Sequence, residues 1–478
     1  MVDLTDATTE ATGVTGSWRA LLGHRYLGTT TVLAGGVALY ATNEFLTISL
    51  LPSTVKDIGG ERLYAWVTTL YLVASVLAAA VVNPVLVRVG ARLAYLLGLL
   101  SYGLGCLVCA LAPKMEILLG GRVLQGLGGG LLAGLGYALI NAFLPSSLWT
   151  RASGLVSAMW GVGTLLGPAV GGVFAQFGAW RWAFGGMVGL TVAMVGLVLV
   201  VLTPGKSEHT GDPIRVPVLS LALLGGAALT VSAAQLPRNL AVATVLLATA
   251  GLLLAGFLYV DRRATTAVLP RSAFHPGREK WIYLSLGLLM ATTKANLYIP
   301  LLGQRLAHLA PAVAGFLGAA LSTGWTFSEI ASASVSKTRV IIALVITTPL
   351  VMAAGLAAVG LTQMNHYNPT AVGVVWAVAL LVVGIGVGAG WPHLSAWAMG
   401  CVDDPAEGSV AAAAINTVQL IGGAFGAGVA GLVFNAAMGA QLPAARSLFV
   451  LFAIFAAVTA LVSYRATRGS AALIEATT

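Results

Sequence analysis

The chain of 478 residues is 58% hydrophobic and only 9% charged. A water-soluble surface needs about 25% charged residues, so this composition excludes a soluble protein, and most of the surface must face lipid. The net charge of +9 is not a nucleic-acid footprint, because no basic run exceeds Arg262-Arg263 and no basic patch is interleaved with aromatics.

Residues 1–26 are polar, without the compact apolar core of a cleaved leader, and are read as a cytoplasmic N-terminal segment. A bilayer-spanning helix needs about 20 mainly apolar residues. Such stretches occur first at 27–51, 64–86, 93–111, 117–144, 154–177 and 182–202. A further pair follows at 216–234 and 240–260, and six more at 281–302, 312–335, 340–361, 371–391, 409–434 and 447–464. They are expected to be helices, since a long apolar segment in lipid satisfies its backbone only internally and shows none of a barrel's alternation. Sixteen of the 25 Lys and Arg residues fall on one side of this arrangement and seven on the other. The bias places both termini in the cytoplasm.

The predicted architecture is all-α and integral to the membrane. It has fourteen transmembrane helices in two six-helix pseudo-symmetric bundles, residues 27–203 and 281–464. A linker at 204–280 holds the two additional spans, and 465–478 form a cytoplasmic tail. Glycines recur at matching places in the two halves. Gly126, Gly128 and Gly130 of the fourth span correspond to Gly384, Gly386, Gly388 and Gly390 of the twelfth. Gly163, Gly167 and Gly171 correspond to Gly422, Gly426 and Gly431. Small residues on one face let helices approach closely, and duplicated halves are common in secondary transporters.

Ionisable residues inside spans are expensive and mark function by default. In chain order they are Glu44, on one face with Tyr40 and Thr47, then Arg122, Lys294 and Glu329. Glu329 is expected to share its face with Ser322, Trp325, Ser332 and Ser336. Arg122 has two readings, an interior role or snorkelling to the interface. Glu44 and Lys294 lie at comparable depth, eight residues before Pro52 and six before Pro300. They are expected either to meet when the outer gate closes or to be hydrated separately. Glu329 has three readings: a proton site, a handle for cationic substrates, or a partner for Lys337. His393, after Trp391-Pro392, is read as a plain interfacial histidine, the alternative being a group that titrates near neutral pH. Tyr40, Tyr137, Trp160, Tyr298, Trp325 and Met290 offer the apolar, loosely specified lining that suits an amphiphile, and Thr47 and Gln125 are expected in the same substrate cavity.

Four motifs carry a resemblance. Asn83-Pro-Val-Leu-Val-Arg88-Val-Gly90-Ala-Arg92 follows the second span, and Arg122-Val-Leu-Gln125-Gly126-Leu-Gly128 opens the fourth. Gly163-Thr-Leu-Leu-Gly167-Pro168-Ala-Val-Gly171-Gly172 lies in the fifth, with Trp180-Arg181-Trp182 after it. Asn43-Glu44-Phe-Leu-Thr47-Ile-Ser-Leu-Leu-Pro52 lies in the first. Together they resemble the major facilitator superfamily, in its fourteen-helix drug/proton antiporter branch. Arg88, Gly90 and Arg92 match the family's short basic loop, but Val87 stands at its acidic position and Asn83 at its leading glycine. In the first span Asn43 falls at the family's Asp, and Glu44 is the adjacent acid. The resemblance implies that Arg122 takes part in proton coupling.

The reading that follows is a secondary active transporter, a proton-coupled exporter of drugs or other amphiphiles working by alternating access in the cell membrane. An exporter of an endogenous lipid or envelope component on the same fold is the alternative. An enzyme is not expected, because the acidic cluster Asp403, Asp404 and Glu407 has no nucleophile or histidine set beside it. Cys106, Cys109 and Cys401 give no disulfide framework or metal site. No G-x-x-x-x-G-K-[ST] loop is present. The expected partners are therefore an amphiphilic small molecule and membrane lipid, with no nucleotide or nucleic acid, no cofactor beyond a coupling proton, and a functional monomer.

Overall fold

Apolar residues line both faces of most of these helices, so the side that packs inward is marked by small and hydroxylated residues rather than by hydrophobicity. The segment after Gly90 illustrates this. Leu97, Leu100, Leu104, Leu107 and Leu111 are exposed, while Gly98, Tyr102, Cys106 and Cys109 are buried on the opposite face. Both stripes follow the three-and-four spacing of a helix. The leucine stripe is the face a bilayer would cover.

The structure is a computed structural model. It describes residues 17–60, 63–203, 217–234, 239–264, 267–274, 277–299, 302–303, 306–309, 311–363, 369–400, 408–436 and 441–468. Arg62, Lys206, Arg215, Arg238, Pro300, Arg305, Cys401 and the cluster Asp403, Asp404 and Glu407 lie outside the described residues. After a one-turn helix, Trp18–Leu21, the first-half helices are α1 Leu27–Ile58, α2 Tyr64–Ala80, α3 Val82–Leu111, α4 Met115–Phe143, α5 Ser146–Gln176 and α6 Trp180–Val201. A pair follows, α7 Val218–Ala233 and α8 Leu240–Arg263. The second-half helices are α9 Glu279–Thr293, α10 Pro311–Ser332, α11 Thr338–Leu361, α12 Pro369–Gly388, α13 Trp391–Gly400, α14 Gly408–Ala436 and α15 Gln441–Thr467. The described chain is all-helical, and nine of its helical segments are long and apolar enough to cross a membrane.

The breaks have local causes. Pro84 lacks the N–H that would bond Ala80, and the helix is interrupted at Val81. Within α3 the chain reverses at Gly90, whose φ of 78° suits glycine. Val82 and Gly98, sixteen residues apart, consequently pack at the same level of α4, against Gly134 and Leu132. An uninterrupted helix would separate them by about 24 Å. The second span therefore continues past the α2 boundary to the basic loop. α9 tightens into a 3₁₀ stretch, Lys294–Tyr298, a form that marks a hinge when it interrupts a longer helix.

Glycine contacts lay out the packing. In the first half, Gly126 and Gly130 of α4 meet the backbone of α2 at Tyr71 and Ser75, and Gly128 meets Tyr102 of α3. Gly163, Gly167 and Gly171 of α5 receive α1 from Ala41 to Ser49. The second half repeats the pairing. Gly384 and Gly388 of α12 meet α10, Gly386 meets Met352 of α11, and Gly422 and Gly426 of α14 meet α9 at Gly287 and Ala291. Gly172, the last residue of the α5 motif, faces open space.

Gly28 at the start of α1 packs against Val201 at the end of α6, and Trp281 at the start of α9 lies under Arg465 at the end of α15. The described chain thus starts and finishes at one end of the molecule, here the terminal end.

Candidate functional site

Close approach of α1, α2 and α3 to α4 encloses Arg122, which is 0% exposed. Its Nε donates to the Val67 carbonyl (3.1 Å), and one terminal nitrogen donates to Gln125 Oε1 (2.7 Å) and Thr47 Oγ1 (3.1 Å). The guanidinium lies 3.9 Å from the centre of the Tyr71 ring. A buried cation needs such compensation, and this one obtains it from oxygens and a π face. The Thr47 hydroxyl donates to the Asn43 carbonyl (2.8 Å), which leaves its lone pairs to Arg122. Gln125 in turn donates to Cys106 Sγ (3.3 Å). Arg122 is thus an interior residue, not a snorkelling one.

Tyrosines fix the helices around this centre. Tyr71 donates to the Tyr40 carbonyl (2.8 Å), Tyr102 to that of Leu39 (2.8 Å) and Tyr95 to that of Val32 (3.1 Å). The Tyr40 ring stacks on Tyr71 at 5.3 Å and meets the edge of Trp160 at 5.3 Å. Glu44, one turn further along α1, is 8% exposed, and its Oε2 has no hydrogen-bond partner among the described residues. Arg122 and Lys294 lie near enough for their charges to act on it. Lys294 is half-buried, with its ammonium beside Gly423 of α14.

A second constellation joins the two halves nearer the terminal end. Glu329 of α10 is 0% exposed, and neither carboxyl oxygen has a hydrogen-bond partner among the described residues. Its polar neighbours are Ser157 of α5 and Trp325 of its own helix, and Tyr137 of α4 is within reach of its charge. Gly154 of α5 packs against its side chain. Trp391 of α13 donates to the Tyr137 hydroxyl (3.3 Å) and lies 6.1 Å from Trp325. Ser332 bonds the Ala389 carbonyl (2.6 Å) and His393 Nε2 (3.0 Å). Further contacts between the halves cluster at this end. Trp18 donates to Ser334 (2.7 Å), Gly154 meets Ala333 and Pro392, and Gly408 meets Asn141.

Several placements differ from the sequence reading. His393 is 2% exposed, because the chain after Trp391 re-enters a helix, α13, instead of forming a loop. Ser336 lies beyond the end of α10 and is exposed, so the polar face around Glu329 ends at Ser332. Tyr298 stands apart from both constellations, packed on Phe434 at 4.4 Å. Arg88 and Arg92 flank the Gly90 reversal, and Pro168 lies inside α5 without ending it. The Trp180-Arg181 pair is a clamp at the far end. Both side chains donate to Asp57 at the close of α1, and Arg181 also bonds the Ala112 carbonyl (3.1 Å). Those donors hold the Asp57 carboxyl below the usual carboxylate range. Tyr71, Ser157 and Trp391 were not singled out from sequence. One available signal was Trp391-Pro392, since proline favours the first turn of a new helix.

The Major Facilitator Superfamily model matches residues 33–427. A Mycobacterium tuberculosis protein named "Probable multidrug-efflux transporter Rv1634" is 59% identical over 464 residues, spanning 96% of this chain and 98% of its own. Among solved structures, the human organic anion transporter MFSD10 (TETRAN) superposes with a TM-score of 0.69 at 15% identity, covering 91% of this chain and 99% of that one. FucP, a Major Facilitator Superfamily transporter in the outward conformation, gives 0.59 at 12% identity, covering 91% and 98%.

Proposed function

The chain belongs to the Major Facilitator Superfamily and is a multi-pass membrane transporter rather than an enzyme, and from that premise we propose that it is a proton-coupled exporter of drugs or other amphiphilic small molecules. Near-full-length identity to a named multidrug-efflux protein supports the cargo class. The observation that carries the coupling is the buried Arg122 centre, with Glu44 at its edge and Lys294 approaching from the other half. A buried carboxyl group within reach of one cation from each half changes its surroundings whenever the halves part, which ties proton uptake to conformation.

In this reading the chain has fourteen spans in two six-helix bundles, with α7 and α8 inserted between them. The repeated glycine pairing supports the pseudo-symmetry. The charge bias puts the terminal end in the cytoplasm. The cross-half contacts around Glu329, Tyr137 and Trp391 then form the closed cytoplasmic gate, and Glu329 is the acid held dry by that closure. Tyr40, Trp160 and Trp325 supply aromatic surface to an amphiphile, and the transporter acts as a monomer. One proton moving down 100 mV releases about 2.3 kcal/mol, enough for roughly a 40-fold cargo gradient.

Purified protein in liposomes, given an inward pH gradient and a fluorescent lipophilic cation, tests the reading. Gradient-dependent dye movement that nigericin abolishes is expected. Dye flux indifferent to the gradient refutes proton coupling, and absence of flux across a panel of dyes, cations and neutral amphiphiles refutes the cargo class.

A further inference from the structure

Outside the transport path, α15 and the start of α9 form a groove of about 400 Å³ at the terminal end, lined by Trp281, Val458, Leu461, Val462, Tyr464, Arg465 and Arg468. Its lining changes character along one helix. Val458 and Leu461 are exposed apolar residues, Leu461 at 67%, and Arg465 and Arg468 follow one and two turns later. Ten residues of helix put about 15 Å between Val458 and Arg468. Arg465 lies 4.7 Å from the centre of the Trp281 ring and Lys280 lies 5.2 Å from the same ring, so these charges are within about 10 Å of each other. Arg468 lies 5.1 Å from the Tyr464 ring. None of the three cations forms a salt bridge with a described carboxylate, and the adjacent Glu279 folds back over Gly277.

We propose that this groove is a binding site for one anionic phospholipid of the leaflet at the terminal end. The phosphate sits among Lys280, Arg465 and Arg468, and an acyl chain runs along Val458 and Leu461. Arg465 and Arg468 line the groove and Lys280 reaches the Trp281 ring at its rim, with no salt bridge to a described carboxylate, so a phosphodiester supplies the counter-charge and its phosphate oxygens accept their N–H groups. Trp281 and Tyr464 place the cations at headgroup depth, where such aromatics concentrate. The apolar end of the groove requires a chain attached to the phosphate, which selects a lipid over a free anion. The inference rests on membrane insertion alone and stands whether or not transport is proton-coupled.

The test is native mass spectrometry of the purified full-length protein titrated with phosphatidylglycerol or phosphatidylcholine. The wild type is expected to bind its first phosphatidylglycerol at least tenfold tighter than phosphatidylcholine. A K280Q/R465Q/R468Q variant should lose that preference, and R468Q alone should weaken phosphatidylglycerol about fivefold, which keeps the test open if the triple variant does not purify. R262Q/R263Q removes an exposed basic pair that does not line this groove and should leave the preference intact. The proposal is overturned if the triple variant (or R468Q in its place) binds phosphatidylglycerol like the wild type. It is equally overturned if R262Q/R263Q abolishes the preference, or if millimolar inorganic phosphate displaces the lipid.

Discussion

Arg122→Lys keeps the charge at the buried centre and removes its geometry. The guanidinium reaches acceptors on three helices, Thr47 of α1, Val67 of α2 and Gln125 of α4, while lying on Tyr71. An ammonium is a point donor. If it keeps Gln125 and Thr47, it abandons the Val67 carbonyl and most of its contact with the ring. A hydrogen bond to a charged group contributes about 1.5–3 kcal/mol, and a desolvated cation–π contact about 2 kcal/mol. A net loss of about 2–4 kcal/mol is expected, seen as a Tm at least about 3 °C lower in detergent. Arg122→Met leaves all three acceptors without the cation and should fall further. Dye transport in liposomes should be lost in both variants. A lysine variant that melts and transports like the wild type would refute the claim that this side chain organises the centre.

Gly167→Ala places a methyl group 2.6 Å from Phe45 Cβ and 2.8 Å from the Leu46 backbone nitrogen; it should cost about 1–3 kcal/mol in thermal melts, whereas Gly172→Ala, facing open space, should change nothing. A double-mutant cycle of transport with Glu44→Gln and Lys294→Met should deviate from additivity by at least about 0.5 kcal/mol, and strict additivity would remove the pair from the mechanism. Tyr137→Phe deprives the Trp391 N–H of its acceptor, a loss of about 1–3 kcal/mol. It should raise at least fivefold the maleimide labelling rate of Ala333→Cys in a cysteine-free background, and an unchanged rate would contradict the closed-gate assignment. Asp57→Asn tests the far-end clamp by its pH dependence. Because the folded carboxyl is held below its ordinary value, near 3.9 in the unfolded chain, the clamp stabilises above that value and fades as pH falls through the folded one. The melting deficit of Asp57→Asn should therefore be constant from pH 7 to about 5 and vanish in stronger acid; a deficit that grows on acidification would contradict the assignment.

The membrane class, the positions of the long helices and the Arg122 motif were legible in the sequence for one reason: charge is so scarce here that each buried instance stands out. The α5 glycine motif was legible too, because close approach to α1 requires missing side chains at Gly163, Gly167 and Gly171. Tyr71 and Trp391 were not, since an aromatic in an apolar helix reads the same whether it faces lipid, core or a cation. Hydropathy reports depth in the bilayer and is silent about azimuth. The interior position of His393 escaped for a related reason. The Ala389-Gly390 interruption reads as the end of a span, and only tertiary packing against Ser332 shows that the chain resumes as a buried helix. Ser336 was misplaced because the end of α10 at Ser332 has no strong stop signal before the Val335-Ser336-Lys337 stretch.

Proton coupling through Glu44 is tested most directly by recording lumenal pH in liposomes with an entrapped dye while cargo is added outside in the absence of any imposed gradient. Cargo moving inward on wild-type protein should drive protons outward and alkalinise the lumen, and Glu44→Gln should abolish that signal while cargo still binds. Cargo uptake without a pH change in the wild type, or an undiminished change in Glu44→Gln, would contradict it.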